Sequence, residues 1–430
     1  SKEHWDPLAG GLYDWLSRHV KPGTGEAGQF VARMEVSEAH DQLWETLTHE
    51  EQNVYTELGE TVRIMEQLLE EVRENHDDYD MQSLLTDMGG AVKDLSRYRE
   101  ELHFLMSKDK EDHVYWIEAA AAYRMKSLQL TAVPIDVSPL LQEYFFERKE
   151  SVVLTSATLT VDKSFDYSSG VLGLTPYKHT GSLKTVQLDS PFNYRKQALV
   201  CIPRDFPKLK GIEGEDLFVE KLVHSLSEVA KVTKGRMLVL FTSYRMLKET
   251  YNRLKDVLAD SGIEVFGQGI DSNNRSKLTQ RFRKTTASVL LGTGSFWEGV
   301  DLPGDALVCL AIVRLPFQPP NHPVVEAKCE RIKARNQNPF IKYSVPQAVI
   351  RFKQGFGRLV RSANDKGIAI IYDTRVIEQR YGKNFLYSLP GPKMEHMRLD
   401  QLTGRVGEWM ESSADDCEKG AASDVGKTAT

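Results

Sequence analysis

Short apolar runs that alternate with amphipathic segments constrain the fold of this chain more than any other feature. Runs such as "RMLVLFTSY" and "SVLLGTG" are separated by stretches with helical periodicity. Short, continuously apolar strands separated by helices are typical of a parallel sheet covered on both faces. The pattern therefore predicts a doubly wound α/β domain with a parallel sheet. The predicted helices cover 215–233, 245–260, 273–284, 323–336 and 345–361, and the predicted strands cover 236–244, 263–268, 288–294, 306–315 and 367–373.

The N-terminal part of the chain has a different pattern, in which long acidic helices are expected. Between Val36 and Asp112 there are 21 acidic and 7 basic residues, a balance of −14, so the rest of the chain carries +8. Apolar residues recur at three- and four-residue spacing over 38–105, and "MGG" is expected to break one helix from the next. We expect a helical insertion with solvated acidic faces, and a polyanionic partner would bind the remainder of the chain.

The composition excludes several classes of protein. A length of 430 residues predicts two or three domains. No run of eighteen apolar residues and no signal-peptide pattern occurs, so neither a membrane helix nor a membrane partner is expected. Cys201, Cys309, Cys329 and Cys417 form no CxxC pair, which predicts reduced thiols in a cytosolic protein and no iron–sulfur cluster in this chain.

The segment "LLGTGSFWEGVDLPG" follows a predicted strand, at the position where ligands bind in parallel sheets. A glycine-rich backbone with hydroxyl groups can bind phosphate oxygens, and an exposed aromatic pair can stack on bases. The alternative is an ordinary glycine-rich turn with Trp297 in the core. The candidate residues of this loop are Thr293, Ser295, Phe296, Trp297, Glu298, Gly299 and Asp301.

Two further predicted strands end in hydroxyl-bearing residues. "VLFTSYRML" ends in Thr242, Ser243 and Tyr244 directly before a helix, whose first N–H groups could hold a backbone phosphate. A plain helix N-cap is the alternative. "SVVLTSATLT" is expected to be a buried strand that ends in the same way, at Thr155 and Ser156.

The segment "FKQGFGRLVRS" combines a glutamine, two arginines and two glycines. In a helix, Gln354, Arg358 and Arg361 lie at i, i+4 and i+7, within about 60° of one face. Gly355 and Gly357 cost on the order of 1 kcal/mol each relative to alanine, but they allow a close approach. Because arginine binds phosphate in a bidentate manner, the pattern is typical of the sensor and finger groups of a nucleotide hydrolase. The alternative is a surface helix with solvated arginines.

Taken together, "TSATL", "FTSYRML", "GTGSFWEGVDLPGD" and "QGFGRLVRS" resemble motifs III, IV, V and VI of superfamily 2 helicases of the DinG/XPD type, in that order. The resemblance covers about residues 110 to 395. It implies two RecA-like domains with ATP and Mg²⁺ between them, and 5′-to-3′ movement along single-stranded DNA in DNA repair. It also implies a bacterial cytoplasmic protein associated with the nucleoid.

The resemblance also implies roles for individual residues. Gln354, Arg358 and Arg361 would meet the γ-phosphate, with the arginines as fingers. The carboxylates and glycines of the two glycine-containing motifs would order the ATP-proximal backbone, namely Glu298, Gly299, Asp301, Gly355 and Gly357. The nucleic-acid contacts would be Thr242, Ser243, Tyr244, Thr293, Ser295, Phe296 and Trp297.

The family also needs a P-loop and a DEAH box, and we do not identify either in this chain. "AASDVGKT" near the C-terminus lacks the preceding strand and the following helix of a P-loop. "VSEAH", from Val36 to His40, does not follow a buried strand, and we interpret it as a helical segment rather than a degenerate box. We therefore expect a C-terminal part of a helicase, inactive without its missing N-terminal motor domain.

The expected domains of such a C-terminal part follow from the order of the motifs. They are an acidic arch-like insertion at 1–112, the end of the first RecA-like domain at 113–185, the second RecA-like domain at 186–405 and a disordered tail at 406–430. The alternative is a complete but inactive RecA-like module that binds nucleic acid or a partner without ATP hydrolysis. RNA in place of DNA is a further alternative, since backbone contacts do not report the sugar.

Overall fold

The computed structural model of the protein describes residues 2–20, 29–35, 42–75, 79–120, 127–209, 211–285, 287–298, 307–362 and 365–424. The helices are α1 (Lys2–His19), α2 (Gln42–Asn75), α3 (Tyr79–Ser107), α4 (Ser138–Tyr144), α5 (Asp166–Val171), α6 (Thr175–His179), α7 (Tyr194–Gln197), α8 (Gly211–Thr233), α9 (Tyr244–Leu258), α10 (Arg275–Lys284), α11 (Gly294–Trp297), α12 (Pro323–Ala334), α13 (Val345–Phe356), α14 (Arg375–Glu378), α15 (Gly382–Tyr387) and α16 (Leu399–Asp424). The strands are β1 (Gln29–Met34), β2 (His113–Ala120), β3 (Ser127–Pro134), β4 (Ala198–Pro203), β5 (Met237–Leu240), β6 (Glu264–Gly267), β7 (Ser288–Gly292), β8 (Cys309–Ile312), β9 (Gly367–Ile371) and β10 (Lys393–Met397).

The chain divides into two compact units. The first, here the N-terminal unit, comprises Ser1–Val137 and Pro319–Gln337, and the second, here the sheet unit, comprises Ser138–Gln318 and Asn338–Thr430. Within the part of the chain that the structure describes, no helix is both long and apolar enough to cross a membrane.

The N-terminal unit is built on an antiparallel sheet of order β1-β2-β3. One face buries Tyr115 and Ile117 against aromatic residues of α1 and α2, including Trp15 and Trp44. The opposite face packs Trp116 in a cluster with apolar residues of α12. The strands predicted at "HVYWIEAA" and "SLQLTAVPIDV" are thus confirmed as β2 and β3, and β2 pairs with both β1 and β3 in this antiparallel sheet.

The predicted helix break at "MGG" is wrong, because α3 runs through Gly89 and Gly90 without interruption. On either side of the two glycines, Leu85 and Val92 are buried in a cluster that also contains residues of α2. This packing between the helices offsets a glycine cost of about 1 kcal/mol per residue.

The sheet unit confirms the predicted doubly wound α/β fold. Its seven strands have the order β10-β4-β9-β8-β5-β7-β6, and all neighbours pair in parallel. Alternate residues of each strand enter separate cores on the two faces, as Val239 and Leu240 of β5 illustrate. The first core is covered by α8, α9 and α16, and the second by α10, α13 and α15.

The helix predicted at 345–361 is shorter than expected, since α13 ends at Phe356. After Gly357 the hydrogen bonds tighten to i→i−3, because the Arg358 N–H donates to Gly355 O at 3.2 Å and Leu359 N–H to Phe356 O at 3.0 Å. Arg358 and Arg361 therefore leave the helix, and the expected common face with Gln354 does not form.

Two other predictions are also corrected. Residues 151–156 form no strand, and their apolar side chains are exposed, with Val153 at 89%. Most of the stretch expected to be a disordered tail is helical, because α16 extends to Asp424. Val406 and Trp409 recur at helical spacing on α16 and are buried in the core that also contains residues of α8.

Candidate nucleotide and nucleic-acid site

Parallel pairing places the predicted motif residues along one edge of the sheet. Leu240, the last residue of β5, lies opposite Gly292 of β7 and Ile312 of β8. The hydroxyl residues that follow β5 and β7 are therefore neighbours at the carboxyl edge, where open parallel sheets bind ligands.

The loop after β7 is held by two side chains that the motif analysis did not identify. Gln268 Oε1 accepts hydrogen bonds from the backbone N–H and the hydroxyl of Thr293, at 2.8 and 3.2 Å, and Gln268 Nε2 donates to Ser295 Oγ at 3.3 Å. Arg275 Nη1 donates to the backbone oxygens of Ser295 and Glu298, at 3.0 and 3.1 Å. Thr293 is buried and Ser295 is exposed, so of these two hydroxyls only that of Ser295 faces solvent.

The expected stacking role of Phe296 and Trp297 does not fit the structure. Their side chains are 0% and 1% exposed, and both lie in the core between the sheet and α13. Trp297 Nε1 donates to the backbone oxygen of Phe241 at 2.9 Å, which satisfies its only polar atom. Gly299 and Asp301 lie outside the described residues.

The residues after β5 combine exposure with local capping. Thr242 is exposed, and Ser243 is the N-cap of α9, where its hydroxyl accepts from Met246 N–H at 3.4 Å. Tyr244 donates its hydroxyl to Gly269 O at 3.0 Å. The N-cap alternative thus describes Ser243, while Thr242 presents its side chain at the edge of the sheet.

Gly355 allows α13 to approach the loop that follows β7. A Cβ atom at Gly355 would lie 3.0 Å from Trp297 Cε3 and 3.2 Å from Leu240 Cδ1. The absence of a side chain at Gly355 therefore leaves room for the indole ring of Trp297. Gly357 is exposed and is the C-cap of α13, with φ of −62°, so its conformation does not require glycine.

The two arginines of this segment differ in environment. Arg358 is 9% exposed, and its Nη2 donates to the backbone oxygen of Trp297 at 3.1 Å. Arg361 is exposed, and its backbone N–H donates to Asp365 Oδ2 at 2.7 Å. Ser362 also donates to Asp365, through its N–H and its hydroxyl, so this carboxylate fixes the turn that presents Arg361.

Gln354, in the last turn of α13, lines a cavity of about 320 Å³. Its Oε1 atom is buried and has no hydrogen-bond partner among the described residues. Arg351 and Glu298 line the same cavity, with Arg351 Nε 4.0 Å from Glu298 Oε1. The lining also includes Tyr167, whose pKa is raised by burial.

Gln268, Arg275, Arg351 and Asp365 are the functional candidates that motif reasoning missed. Gln268 directly follows β6 and could have been found by the rule that ligand-side residues follow parallel strands. Arg275 and Arg351 lie on helices, where nothing in the local sequence separates them from solvated arginines. Among the residues that the structure describes, no group of three or more His, Cys, Asp or Glu side chains could hold a metal ion.

Comparison with known proteins shows which proteins this chain resembles. Residues 226–391 match the model of the helicase C-terminal domain. The chain is 40% identical over 316 residues to the 3′-5′ exonuclease DinG of Bacillus subtilis (strain 168), covering 74% of this chain and 33% of that protein. It is 31% identical over 303 residues to the ATP-dependent DNA helicase YoaA of Escherichia coli (strain K12), covering 70% of this chain and 45% of that protein. The chain therefore spans less than half the length of these curated relatives.

The fold is also similar to that of solved XPD structures. An XPD helicase structure aligns with a TM-score of 0.52 over 92% of this chain and 62% of that chain, at 16% identity. An apo XPD structure aligns with a TM-score of 0.53 over 92% of this chain and 70% of that chain, also at 16% identity. Residues 226–391 thus match a helicase C-terminal domain, in a region similar in sequence to DinG and YoaA and similar in fold to XPD.

Proposed function

We propose that this chain is the C-terminal part of an ATP-dependent helicase that moves 5′ to 3′ on single-stranded DNA in DNA repair. Gln354, Arg358 and Arg361 would contribute to an ATP site that is completed by an N-terminal P-loop domain of the full-length protein. The proposal includes an arch-like insertion at 1–112, the end of a first RecA-like domain at 113–185 and a second RecA-like domain that begins at 186. Relatives of this chain are named ATP-dependent DNA helicases, and their names support helicase activity as the class of activity.

The observation that carries the proposal is the amide of Gln354. An amide atom that is buried without a partner is costly unless a ligand or water satisfies it. The oxygen and nitrogen of an amide can exchange by a flip, so this buried atom can be a donor to a phosphate oxygen. Arg361 is exposed seven residues further along the chain, where a finger can reach a nucleotide held by another domain.

Two segments of the sheet unit without regular secondary structure support the existence of a further domain. Residues 151–156 and 184–189 make no backbone–backbone hydrogen bonds with described residues. Their exposed apolar side chains include Val153 at 89%, Val186 at 72% and Leu188 at 84%. Exposed apolar segments with unpaired backbone are an aggregation risk that native proteins cover. Strands of an N-terminal motor domain would cover these two segments.

The chemistry assigned to this chain is electrostatic. ATP with Mg²⁺ would supply the free energy of movement, and Arg361 would stabilise charge that develops on the transferred phosphoryl group. The contact of Arg358 with the backbone of Trp297 joins the turn that presents Arg361 to the loop that holds Thr293 and Ser295. A movement of the turn on ATP binding would therefore shift the hydroxyl groups assigned to the DNA backbone.

The test uses the full-length protein with Arg361→Ala and a control variant, Arg253→Ala, on the surface of α9. We expect Arg361→Ala to reduce ATP turnover by a factor of about 10³ or more while single-strand binding is retained, because a finger acts on the transition state. The control should retain both activities. Loss of DNA binding with intact turnover would contradict the assigned role.

The 430-residue chain by itself should not hydrolyse ATP. Substantial turnover by this chain would refute the proposed sharing of the ATP site with another domain. A full-length protein that lacks a P-loop would instead support an inactive module that binds nucleic acid or a partner.

A further inference from the structure

Arg314 lies at the carboxyl edge of the sheet, between segments already described. It follows β8, whose last residue, Ile312, lies opposite Leu240 of β5 and Ile371 of β9. Arg314, Thr242 and Asp373 each lie two residues beyond the last residue of β8, β5 and β9, so they follow neighbouring strands at the same edge. Arg314 is not among the candidate site residues assigned from the sequence.

The guanidinium of Arg314 is half-buried, and it has neither a hydrogen bond nor an ion pair among the described residues. Burial lowers its pKa, and the neighbouring guanidinium of Arg375 lowers it further. A partly desolvated cation without a direct partner is unfavourable in a folded protein. Structural arginines in such positions are normally paired.

The carboxylates around Arg314 already form hydrogen bonds or ion pairs with other groups. Asp373 accepts from Leu315 N–H at 2.9 Å and from Arg375 Nη2 at 2.6 Å. Glu215, the other carboxylate that acts on Arg314, forms an ion pair with Arg245. The cluster contains three guanidinium groups, those of Arg314, Arg375 and Arg245, and two carboxylates, those of Asp373 and Glu215. It therefore carries one surplus positive charge.

We infer that Arg314 binds a backbone phosphate of single-stranded DNA, beside Thr242 at the carboxyl edge of the sheet. The inference rests on the proposed function and adds a cationic contact to the hydroxyl groups assigned there. A guanidinium can form two parallel hydrogen bonds to a phosphate, and the surplus positive charge of the cluster favours an anion. A phosphate contact would also supply the partner that the folded chain lacks.

The test measures the affinity of Arg314→Gln for a fluorescein-labelled oligothymidylate by anisotropy, over a series of salt concentrations. We expect the affinity to fall about ten-fold or more, because a hydrogen-bonded charge pair is lost. The slope of log K against log salt should decrease by about 0.7, the value for one phosphate contact of a single strand. The matched control is Arg253→Gln, which removes the same charge from a residue paired with Asp216 and Glu249 and should leave the slope unchanged.

Thermal unfolding separates a binding role from a structural role. Removal of an unpaired, half-buried cation next to Arg375 should leave the melting temperature of Arg314→Gln unchanged or raise it. A large decrease in the melting temperature of Arg314→Gln would overturn this inference and leave the proposed function standing. The same would follow if Arg314→Gln still bound DNA with the salt slope of the parental chain. If the parental chain does not bind the oligonucleotide, the proposed function fails, and this inference fails with it. Arg314→Lys should keep the parental slope but bind more weakly, since it retains the charge and loses the bidentate geometry.

Discussion

The close approach of α13 to Trp297 makes a quantitative prediction for Gly355→Ala. The new Cβ would lie 3.0 and 3.1 Å from two atoms of the Trp297 ring and 3.2 Å from Leu240 Cδ1. The ring is 1% exposed and its Nε1 is hydrogen-bonded to the backbone, so it cannot move without loss of that bond. Overpacking of this kind costs about 1–3 kcal/mol, whereas alanine gains about 1 kcal/mol over glycine in a helix.

A matched variant isolates the packing contribution. Gly404 lies inside α16 in the same unit, and a Cβ atom there would have nothing within 4 Å. Gly404→Ala should raise the free energy of unfolding by up to about 1 kcal/mol, through helix propensity alone. The difference between the two variants should therefore equal the overpacking cost, about 1–3 kcal/mol.

Denaturant unfolding followed by tryptophan fluorescence and by circular dichroism would measure this difference. For a unit of this size, each 1 kcal/mol corresponds to a shift of about 2–4 °C in melting temperature. Equal stabilisation by both substitutions would refute the reasoning, because it would mean that the indole ring yields at no cost. In the full-length protein, Gly355→Ala should also reduce ATP turnover, since Trp297 carries the backbone oxygen that Arg358 contacts.

Two further predictions concern residues outside the known motifs. Gln268→Ala should reduce the free energy of unfolding by about 1–3 kcal/mol, because it leaves the buried N–H of Thr293 without its acceptor; unchanged stability and single-strand binding would contradict an anchoring role. The Arg405 guanidinium lowers the pKa of Glu395 to about 2, so this pair contributes stability above pH 4.5, the ordinary pKa of the carboxyl, and loses it as the pH falls towards 2. Arg405→Gln should therefore make the decrease in melting temperature over this acidic range shallower, and an unaltered pH profile would show that the pair does not contribute.

Local pattern was sufficient to predict the fold of the sheet unit. Alternation between apolar strands and amphipathic helices depends on side-chain periodicity, which can be identified directly from the sequence. The helix predicted at 245–260 and the strand at 288–294 correspond to α9 and β7 within a few residues. Their order also placed Thr242 and Thr293 at the same edge, because parallel strands share a direction.

Predictions that depended on distant partners were less successful. The pattern of "SVVLTSATLT" predicts a buried strand. A strand forms, however, only where another strand completes its hydrogen bonds. The adjacent Phe296 and Trp297 are predicted from the sequence to be exposed stacking groups. The local sequence does not show that α13 and the sheet cover them. Gly89 and Gly90 suggested a break, and packing between α2 and α3 keeps the helix continuous.

The sequence by itself determined the α/β class, the order of the motifs and the chemical types of the groups at the site. Tertiary structure alone decided which of these groups are exposed and which are buried. Arg358 turns inwards to a backbone oxygen while Arg361 remains exposed, because α13 ends at Phe356 and the following turn is fixed by Asp365. Arg314 and Gln268 become candidates for the same reason, since burial, ion pairing and hydrogen bonding depend on neighbours that are distant in sequence.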